Sequence, residues 1–288
     1  KNYLILGEIS LNGEIKSVKG AINATILAKE KEIRGIIIPY ENYDEACLIS
    51  GVEIVPVSRI EEAVSFLNGK IELDQLYKNM KEKMILKKKE KNKNNREEKN
   101  EIDFSDVKGQ LLAKRAMEIA AAGGHNIFLM GDPGSGKSML AKRFVTILPK
   151  MSEKEIIETT KIYSISGMLS PDKPVITERP FRAPHHSATQ TALVGGAIRA
   201  GEITLALNGV FFMDELGEFG TRTLETLRQP LEDGNVTISR ANLIVNYPVN
   251  NIMIAASNPT PGGFFQDDPQ CKDSLRDISK KVFRAFTG

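Results

Sequence analysis

The feature that most constrains this chain is the octapeptide GDPGSGKS, which runs from Gly131 to Ser138. It fits the pattern G-x-x-x-x-G-K-[ST] in full. A short apolar segment, HNIFLM, precedes it, and a helix-like segment, MLAKRFVTILP, follows it at once. Strand, glycine-rich loop and helix in this order are the structural context of a P-loop, so the motif predicts an α/β fold that binds a nucleotide.

We expect this whole loop to bind ATP. Its glycines allow backbone N–H groups to turn towards phosphate oxygens at the positive end of the following helix. Lys137 is expected to reach the β- and γ-phosphates, and the hydroxyl of Ser138 to ligate Mg²⁺. The predicted nucleotide-binding residues are Gly131, Asp132, Pro133, Gly134, Ser135, Gly136, Lys137 and Ser138.

A second segment, GVFFMDELGEF, supplies two adjacent carboxylates. Its apolar run, residues 210–213, is typical of a strand buried on both faces, and it ends in Asp214 and Glu215. An acid at the carboxyl end of such a strand is placed to hold Mg²⁺, and the next carboxylate can polarise the attacking water. We therefore predict Asp214 as a metal ligand and Glu215 as the catalytic base.

A third strand-like segment, NIMIAASNP, ends in Asn258. An amide at the tip of a strand beside the P-loop can hydrogen-bond the γ-phosphate or the attacking water, and we predict this catalytic role for Asn258. The alternative is that Asn258 and Pro259 only begin a turn.

The chain divides into three predicted regions. Residues 1–76 alternate strand-like and helix-like pieces, and YLILGEISLNGEI predicts a hairpin with Asn12 and Gly13 in its turn. Residues 77–101 are rich in lysine and asparagine with almost nothing to bury, which predicts a charged flexible linker; contact with DNA phosphates is the alternative. Residues 102–288 carry the nucleotide-binding segments.

Composition narrows the class of partner. The net charge is +2, so any binding of a polyanion would depend on local patches. The absence of tryptophan argues against an aromatic stacking platform for nucleic acid. Cys47 and Cys271 lie far apart, as in a reduced, cytoplasmic protein, and this argues against a structural zinc site. We find no signal peptide and no apolar run long enough to span a bilayer, so no membrane partner is expected.

These segments, with FRAPHHSATQTALVGG and LRQPLEDGNVTISRA, resemble the ComM/YifB family of magnesium-chelatase-related AAA+ ATPases. The resemblance spans residues 103–259, and APHHSAT is its most specific block. It implies a P-loop AAA+ core, an αβα sandwich, in a homo-oligomeric ring that is hexameric by resemblance. It also implies ATP hydrolysis that acts on DNA, as in a branch-migration helicase of DNA uptake and recombination. A chaperone-like or magnesium-chelatase-like ATPase that remodels a protein partner is the alternative. Residues 104–110 would line the base pocket.

The APHHSAT block lies in a stretch without a clear hydrophobic period, from Arg182 to Glu202. By resemblance, this stretch lies in or next to an insert that projects towards the channel of the ring. Arg182, His185, His186 and Arg199 would then offer hydrogen-bond donors to phosphates or to a neighbouring subunit. The alternative is that the two histidines only shape the loop. Adjacent histidines with no third ligand in view do not predict a metal site.

Two further arginines gain candidate roles from the resemblance. The segment FGTRTLETLRQPLEDG predicts an amphipathic helix, and NVTISRANLIVNYP predicts a hairpin. In the family this hairpin faces the channel, which makes Arg240 a candidate contact to a threaded polymer and Arg228 a candidate at the subunit interface. A solvated surface position is the alternative for both.

The N-terminal region resembles the latter part of a Lon-protease-like domain, through LGEISLNGEI and VEIVPVSRIEEAVSFL. In active Lon proteases a catalytic lysine lies in the helix after the hairpin. Here KGAINATI places Ile22 or a near neighbour at that position, and the serine-bearing half is absent. We therefore expect a partial Lon-like α/β domain without proteolytic activity.

The chain departs from the family pattern near its end. NPTPGGFFQDDPQC lacks the family's further cysteines and leaves only Cys271. The last residues, KKVFRAFTG, do not match the segment that supplies an arginine to the neighbouring subunit, nor the helical lid, and Arg284 is the only arginine near that place. The chain starts at Lys1 directly in a strand-like run, so we expect a fragment at its N-terminus. We expect the chain to bind nucleotide; a truncated product with little turnover is the remaining alternative.

Overall fold

The protein divides into two compact units, each with parallel strands and helices, so the α/β class is confirmed. The computed structural model describes residues 2–92, 102–196, 199–240 and 243–259. The first unit comprises Lys1–Asn100 and Ile156–Ile176, and the second comprises Glu101–Glu155 and Thr177–Gly288. Within the described residues, no helix combines the length and the apolar character needed to cross a bilayer.

The first unit is built around a short parallel sheet. Its elements, in chain order, are β1 (Tyr3–Ile5), β2 (Glu8–Ile9), β3 (Ile15–Lys16), α1 (Ala21–Glu30), β4 (Gly35–Pro39), α2 (Tyr43–Ala46), β5 (Glu53–Val57), α3 (Ile60–Leu67) and α4 (Leu73–Asn92). The parallel sheet has the order β1–β4–β5, whereas β2 and β3 pair antiparallel in a separate hairpin. The predicted hairpin is therefore confined to residues 8–16, because β1 pairs with β4 instead.

Alternating side chains give this sheet two apolar faces. On one face Ile37 packs with Val55 and Val57 against α3 and α4. On the other face Ile36 and Ile38 are buried in a separate cluster that includes part of α2. A run of isoleucines in β4 thus serves both faces, as expected for a central strand of a parallel sheet.

The predicted flexible linker begins too early. Helix α4 continues to Asn92, and its side chains Leu76 and Met80, one turn apart, are buried. The hydroxyl of Tyr77 donates to the carbonyl of Ile54 at 2.9 Å. The prediction is wrong for residues 77–92, because lysine and glutamate are good helix formers and the apolar residues of the first turns anchor the helix. Residues 93–101 lie outside the described part of the chain.

The remaining elements follow in chain order. They are α5 (Leu111–Gly123), β6 (Ile127–Met130), α6 (Lys137–Phe144), α7 (Glu153–Ser166), β7 (Phe181–Arg182), α8 (Gln190–Val194), α9 (Glu202–Leu205), β8 (Val210–Met213), α10 (Thr221–Asp233), β9 (Asn235–Arg240), β10 (Leu243–Pro248) and β11 (Ile252–Ser257). The predicted downstream hairpin is present as the antiparallel pair β9–β10.

Most of α7 belongs to the first unit, although the sequence assigns all of residues 102–288 to one ATPase core. Residues 156–176 are grouped with the first unit, where the hydroxyl of Ser164 donates to Glu45 at 2.5 Å and accepts from the N–H of Gly20 at 3.0 Å. In the structure this segment packs with the first unit and not with the rest of residues 102–288. The contacts that decide it join residues more than a hundred positions apart, and no local pattern reports them.

The second unit is built on a four-stranded parallel sheet with the order β6–β11–β8–β7. Strand β8 is buried along its whole length, which confirms the predicted buried strand, and the predicted strand before Asn258 is present as β11, which is also nearly all buried. Because the strands are parallel, the residues that follow them meet at one edge of the sheet. That edge is therefore where the predicted site residues are expected to come together.

Candidate nucleotide-binding site

Strand β11 lies between the strand that precedes the P-loop and the strand that precedes the two acids. Ser257 is paired with Met130 of β6, and Ala255 is paired with Met213 of β8. Asn258, the next residue after β11, is thereby placed beside the P-loop.

The P-loop backbone turns sharply before helix α6. Gly136 caps the helix with a φ of 89°, in the left-handed region that a side chain rarely adopts, so a glycine is required here. Helix α6 begins at Lys137, and the free N–H groups of its first turn lie at the end of the loop. The side-chain amide of Gln110 donates to the carbonyl of Ser135 at 3.1 Å and ties the loop to the segment before α5.

Lys137 uses all three of its ammonium hydrogens at the centre of the site. Its Nζ lies 2.7 Å from the carbonyl oxygen of Gly131, 3.0 Å from that of Asp132 and 3.2 Å from Oδ1 of Asn258. A lysine ammonium has three donors, and each has an oxygen acceptor here. Lys137 and Asn258, 121 positions apart in sequence, are thus in direct contact.

Ser138 and Asp214 form a second contact across the site. The hydroxyl of Ser138 donates to Oδ2 of Asp214 at 2.6 Å, and Oδ1 of Asp214 accepts from the N–H of Glu215 at 3.0 Å. Both side chains are half-buried at the edge of the sheet. Hydroxyl and carboxylate oxygens are the hard ligands that Mg²⁺ prefers, usually one or two from the protein with substrate phosphates completing the set.

One buried polar atom in the loop remains unmatched. The hydroxyl oxygen of Ser135 is inaccessible to solvent and has no hydrogen-bond partner among the described residues. A buried hydroxyl without a partner is costly unless a ligand satisfies it. The free N–H groups at the start of α6, beside the ammonium group of Lys137, fit an anionic ligand. Among the described residues there is no cluster of three or more histidine, cysteine or acidic side chains that could hold a metal without such a ligand.

Glu215 has a strained backbone and an open side chain. Its φ and ψ are 51° and 48°, the left-handed region, which for a residue with a side chain is costly and concentrates at functional sites. Its side chain is 56% exposed, and Oε2 lies 3.3 Å from Nδ1 of His186. The carboxylate thus projects at the edge of the sheet, where one of the two adjacent histidines contacts it.

The APHHSAT stretch starts on the edge strand β7 and then follows the same edge of the sheet as Asp214. The sequence did not predict the contact between His186 and Glu215, because a strand of two residues leaves no periodic signal. Arg182 was expected to offer free donors, and the structure pairs it with both oxygens of Glu202, at 2.6 and 2.7 Å. Arg199 is exposed.

Near the end of this stretch, at Gly201, the backbone passes close to the end of α8. A Cβ there would lie 2.3 Å from the carbonyl oxygen of Leu193, so the two backbone segments approach too closely for a side chain. This contact holds the start of α9 against the end of α8.

Arg228 pairs with a residue of its own helix. Arg228 forms an exposed ion pair with Glu232 at 2.8 Å, one helical turn away. Arg240 ends strand β9, and its side chain lies outside the described part of the chain, as do Arg284 and Cys271.

Comparison with known proteins identifies family matches and relatives over most of the chain. Residues 103–285 match the family described as "Magnesium chelatase, subunit ChlI", and residues 1–42 match "Subunit ChlI of Mg-chelatase". Competence protein ComM of Haemophilus influenzae is 42% identical over 268 residues, which are 92% of this chain and 50% of that protein. The uncharacterized protein YifB of Escherichia coli is 41% identical over 266 residues, 92% of this chain and 49% of that protein.

A more distant relative is DNA replication licensing factor mcm2 of Xenopus laevis, 25% identical over 162 residues, 56% of this chain and 16% of that protein. The chain spans about half the length of the bacterial relatives it matches. The resemblance inferred from the sequence motifs is confirmed: the chain belongs to the magnesium-chelatase-related family of AAA+ proteins that includes ComM and YifB.

Proposed function

We propose that this chain binds ATP with Mg²⁺ at the P-loop and hydrolyses it. The observation that carries the proposal is the convergence of Lys137, Ser138, Asp214 and Asn258 at one edge of the parallel sheet, with contacts of 2.6 to 3.2 Å. These four polar side chains come from three separate segments, and their types match the needs of a nucleoside triphosphate with a divalent cation.

Different groups of the loop bind the phosphates and the metal ion. Backbone N–H groups of residues 131–138 and the start of α6 receive the phosphate oxygens, and the hydroxyl of Ser135 gains the partner it lacks among the described residues. Lys137 shifts its ammonium hydrogens from backbone carbonyls to the β- and γ-phosphates. Ser138 and Asp214 hold Mg²⁺, which neutralises charge that develops on the phosphates.

Glu215 and Asn258 act on the attacking water. Glu215 takes a proton from the water while the water oxygen attacks the γ-phosphorus. The bond between the γ-phosphorus and the bridging oxygen then breaks, and that oxygen leaves with ADP. Asn258, already in contact with Lys137, orients this water or the γ-phosphate through its amide. Residues 104–110 line the base, which is supported by the contact of Gln110 with the loop.

The proposed biological action is that of a ring-shaped motor, hexameric by resemblance, that acts on DNA in the cytoplasm. Support for the ring comes from membership of the AAA+ family. Support for DNA comes from the names of two relatives, a competence protein and a DNA replication licensing factor. In such a ring the stretch from Arg182 to Glu202 and the β9–β10 hairpin with Arg240 lie towards the channel, and Arg228 lies towards a neighbouring subunit. The two distant cysteines support a cytoplasmic location.

We propose that the first unit is a partial Lon-like domain without proteolytic activity. Ile22, at or next to the position expected for a catalytic lysine, is fully buried, and its N–H donates to Glu45 at 3.3 Å. Its side chain cannot ionise, which supports a structural or partner-binding role for this unit.

A second candidate function is remodelling of a protein partner by the same ATPase site. The family description, which names a magnesium chelatase subunit, favours it. A third, non-enzymatic candidate is a protein that binds nucleotide at this site with little turnover.

Steady-state ATP hydrolysis, with and without single-stranded DNA, tests these alternatives, with Lys137→Ala as the blank. We expect turnover that rises with DNA and disappears in the variant. Turnover that ignores DNA would favour the protein-remodelling candidate. Turnover at the level of the blank in both conditions, with ATP still bound, would reject hydrolysis and leave the third candidate.

A further inference from the structure

Helix α4 carries the chain's excess of positive charge. Its residues 73–92 contain seven lysines and three acidic residues, a net charge of +4, whereas the whole chain has a net charge of +2. The rest of the chain therefore has a net charge of −2. A polyanion is attracted by a local concentration of charge of this kind. The lysines of the helix are Lys78, Lys81, Lys83, Lys87, Lys88, Lys89 and Lys91.

The start of this helix is fixed to the first unit along one side. Leu76 and Met80 are buried there, one turn apart. Lys83 belongs to the same attachment, because its Nζ donates to the hydroxyl of Ser58 and lies 3.8 Å from Oε1 of Glu62. The start of the helix thus has a defined inner side, and its other faces are open to a partner.

Four lysines share the face that lies away from this inner side. Each residue of an α-helix advances by about 100° around the axis, so positions 78, 81, 88 and 89 fall within a sector about 100° wide. We call these four positions the lysine face. Among the described residues, Lys78 and Lys81 are exposed and their ammonium groups have no hydrogen bond or ion pair. Their charge is therefore not neutralised within the described part of the chain.

The lysine face is long enough to follow several phosphates of a nucleic acid. The helix rises by about 17 Å from Lys78 to Lys89, and duplex DNA carries one negative charge per about 1.7 Å of its axis. A lysine ammonium is a compact charge on a flexible stem, so it can contact phosphates without a fixed geometry. Contacts of this kind supply affinity and position, and they carry no base sequence.

A membrane surface is another polyanion that a basic helix can bind, and the apolar residues of α4 argue against it. A helix that lies on a membrane needs a continuous apolar face beside its basic one. Ile85 and Leu86 are 54% and 61% exposed, but they are consecutive and therefore point about 100° apart. Ile85 falls within the lysine face itself, and Leu76 and Met80 are already buried in the unit.

We propose that the lysine face of α4 binds the phosphate backbone of DNA, at a place separate from the nucleotide site. This inference rests on the proposed action on DNA and not on the hydrolysis of ATP. It gives the first unit a role in holding DNA, whereas the stretch from Arg182 to Glu202 and the β9–β10 hairpin belong to the second unit.

Charge-matched variants separate the lysine face from the charge of the whole chain. The glutamine variant combines Lys78→Gln, Lys81→Gln, Lys88→Gln and Lys89→Gln. The matched control removes four exposed lysines elsewhere in the first unit, by Lys16→Gln, Lys29→Gln, Lys31→Gln and Lys70→Gln. The arginine variant places arginine at the four positions of the lysine face and keeps its charge. Lysine, glutamine and arginine have similar helix propensities, so α4 is expected to stay helical in each protein.

The measurement is the fluorescence anisotropy of a labelled oligo-dT of about 30 nucleotides, without ATP, between about 50 and 200 mM salt. We expect the glutamine variant to lose at least about tenfold in affinity at the lower salt. The slope of log Kobs against log salt concentration should become shallower by about 2–3, since each phosphate contact on a single strand contributes about 0.7. The arginine variant and the matched control should keep the wild-type affinity within about threefold.

Several outcomes would overturn the inference. A glutamine variant that binds like the wild type would show that DNA is held elsewhere. Equal losses in the glutamine variant and the matched control would show that binding follows the total charge. A loss as large in the arginine variant would show that the effect is not one of charge. A wild type that ignores the oligonucleotide but binds vesicles of phosphatidylcholine and phosphatidylglycerol would replace DNA by a membrane surface.

ATP hydrolysis by the same preparations, with and without the oligonucleotide, distinguishes the inference from the proposed function. If DNA stimulates hydrolysis by the wild type while the glutamine variant binds DNA normally, the inference is wrong and the proposed function stands. If hydrolysis by the wild type does not exceed that of Lys137→Ala while the lysine face binds DNA, the ATPase proposal fails and the inference stands.

Discussion

Two contacts between a serine hydroxyl and a carboxylate have nearly the same donor–acceptor distance, but one is buried and the other is partly exposed. In the first unit Ser164 donates to Glu45 at 2.5 Å, and in the second unit Ser138 donates to Asp214 at 2.6 Å. Glu45 is only 3% exposed, and its oxygens also accept from the amide of Asn42 and the N–H of Ile22. Burial raises the pKa of Glu45, against the opposing effect of these hydrogen bonds.

The pair in the second unit is partly exposed to solvent, whereas the pair in the first unit is buried. Asp214 is half-buried at the edge of the sheet, next to a glycine-rich loop in which the Ser135 hydroxyl has no partner among the described residues. Each donor around Glu45 is used within the unit, so that cluster holds the first unit together. The comparison shows that a short carboxylate–hydroxyl contact does not by itself identify a functional site; the second pair differs in its partial exposure and in the glycine-rich loop beside it.

The largest effect is expected from Glu215→Gln. The glutamine cannot take a proton, so we expect kcat for ATP to fall about 10²–10⁴-fold while ATP still binds. Kinetics and a binding titration on the same preparation check this. A glutamine variant with wild-type kcat would show that Glu215 is not the base. It would also weaken the functional contrast between the Ser138–Asp214 pair and the Ser164–Glu45 pair.

A smaller effect is expected from Asn258→Ala. It removes the amide that contacts Lys137, so we expect kcat to fall about tenfold to a hundredfold. Asn68→Ala, an exposed asparagine at the end of α3, serves as the matched control. Equal kcat in both variants would support the alternative that Asn258 only begins a turn.

Glu45→Ala should act on stability and not on chemistry. It leaves the donors of Asn42, Ser164 and Ile22 without their acceptor in a buried cluster, so we expect the free energy of unfolding of the first unit to fall by about 2–4 kcal/mol. Chemical denaturation followed by hydrogen exchange on β4 and β5 measures it. We expect kcat per folded molecule to stay unchanged; a loss of kcat comparable to that of Asn258→Ala would break the comparison.

The raised pKa of Glu45 also predicts a dependence of stability on pH. Between the ordinary pKa of a glutamate and the raised value, the folded state holds a proton that the unfolded state releases. Glu45 therefore contributes stability that is fully present below the ordinary pKa and is lost as the pH rises through the raised one. Measured against Glu45→Gln, which does not titrate, the wild type should lose up to about 1.4 kcal/mol per pH unit across this window. A constant difference between the two proteins would show that Glu45 titrates at its ordinary pKa.

The smallest effect is expected from Arg228→Ala. Its ion pair with Glu232 is exposed on both sides, so we expect the free energy of unfolding to change by less than about 0.5 kcal/mol. Thermal unfolding checks this on the monomer. Sedimentation with ATP tests the proposed interface role separately: a variant that assembles like the wild type would leave Arg228 as a surface residue.

The sequence was most informative where a local pattern and the sheet topology coincide. The strand before the P-loop, the buried strand before Asp214 and the strand before Asn258 could all be predicted, because each is a short apolar run that ends in polar residues. In a parallel sheet these ends meet at one edge, so the contacts of Lys137 and Ser138 follow from the order of the strands.

The features that were missed depend on contacts between distant parts of the chain. Strand β7 has two residues, so nothing in the sequence showed that His186 would reach Glu215. Helix α7 has ordinary helical residues, and only the buried contact of Ser164 with Glu45 shows that it completes the first unit. In α4, two buried side chains outweigh a run of charges that alone is typical of a flexible segment.

The most direct test of the account is a calorimetric titration of ATP into Glu215→Gln, with and without Mg²⁺, compared with the same titration of the double variant Lys137→Ala, Glu215→Gln. The first protein retains the proposed binding groups but cannot turn the ligand over. We predict saturable binding that is strengthened by Mg²⁺ and is lost in the double variant. Binding that is indifferent to both Mg²⁺ and Lys137 would contradict the assignment of this edge of the sheet as the nucleotide site.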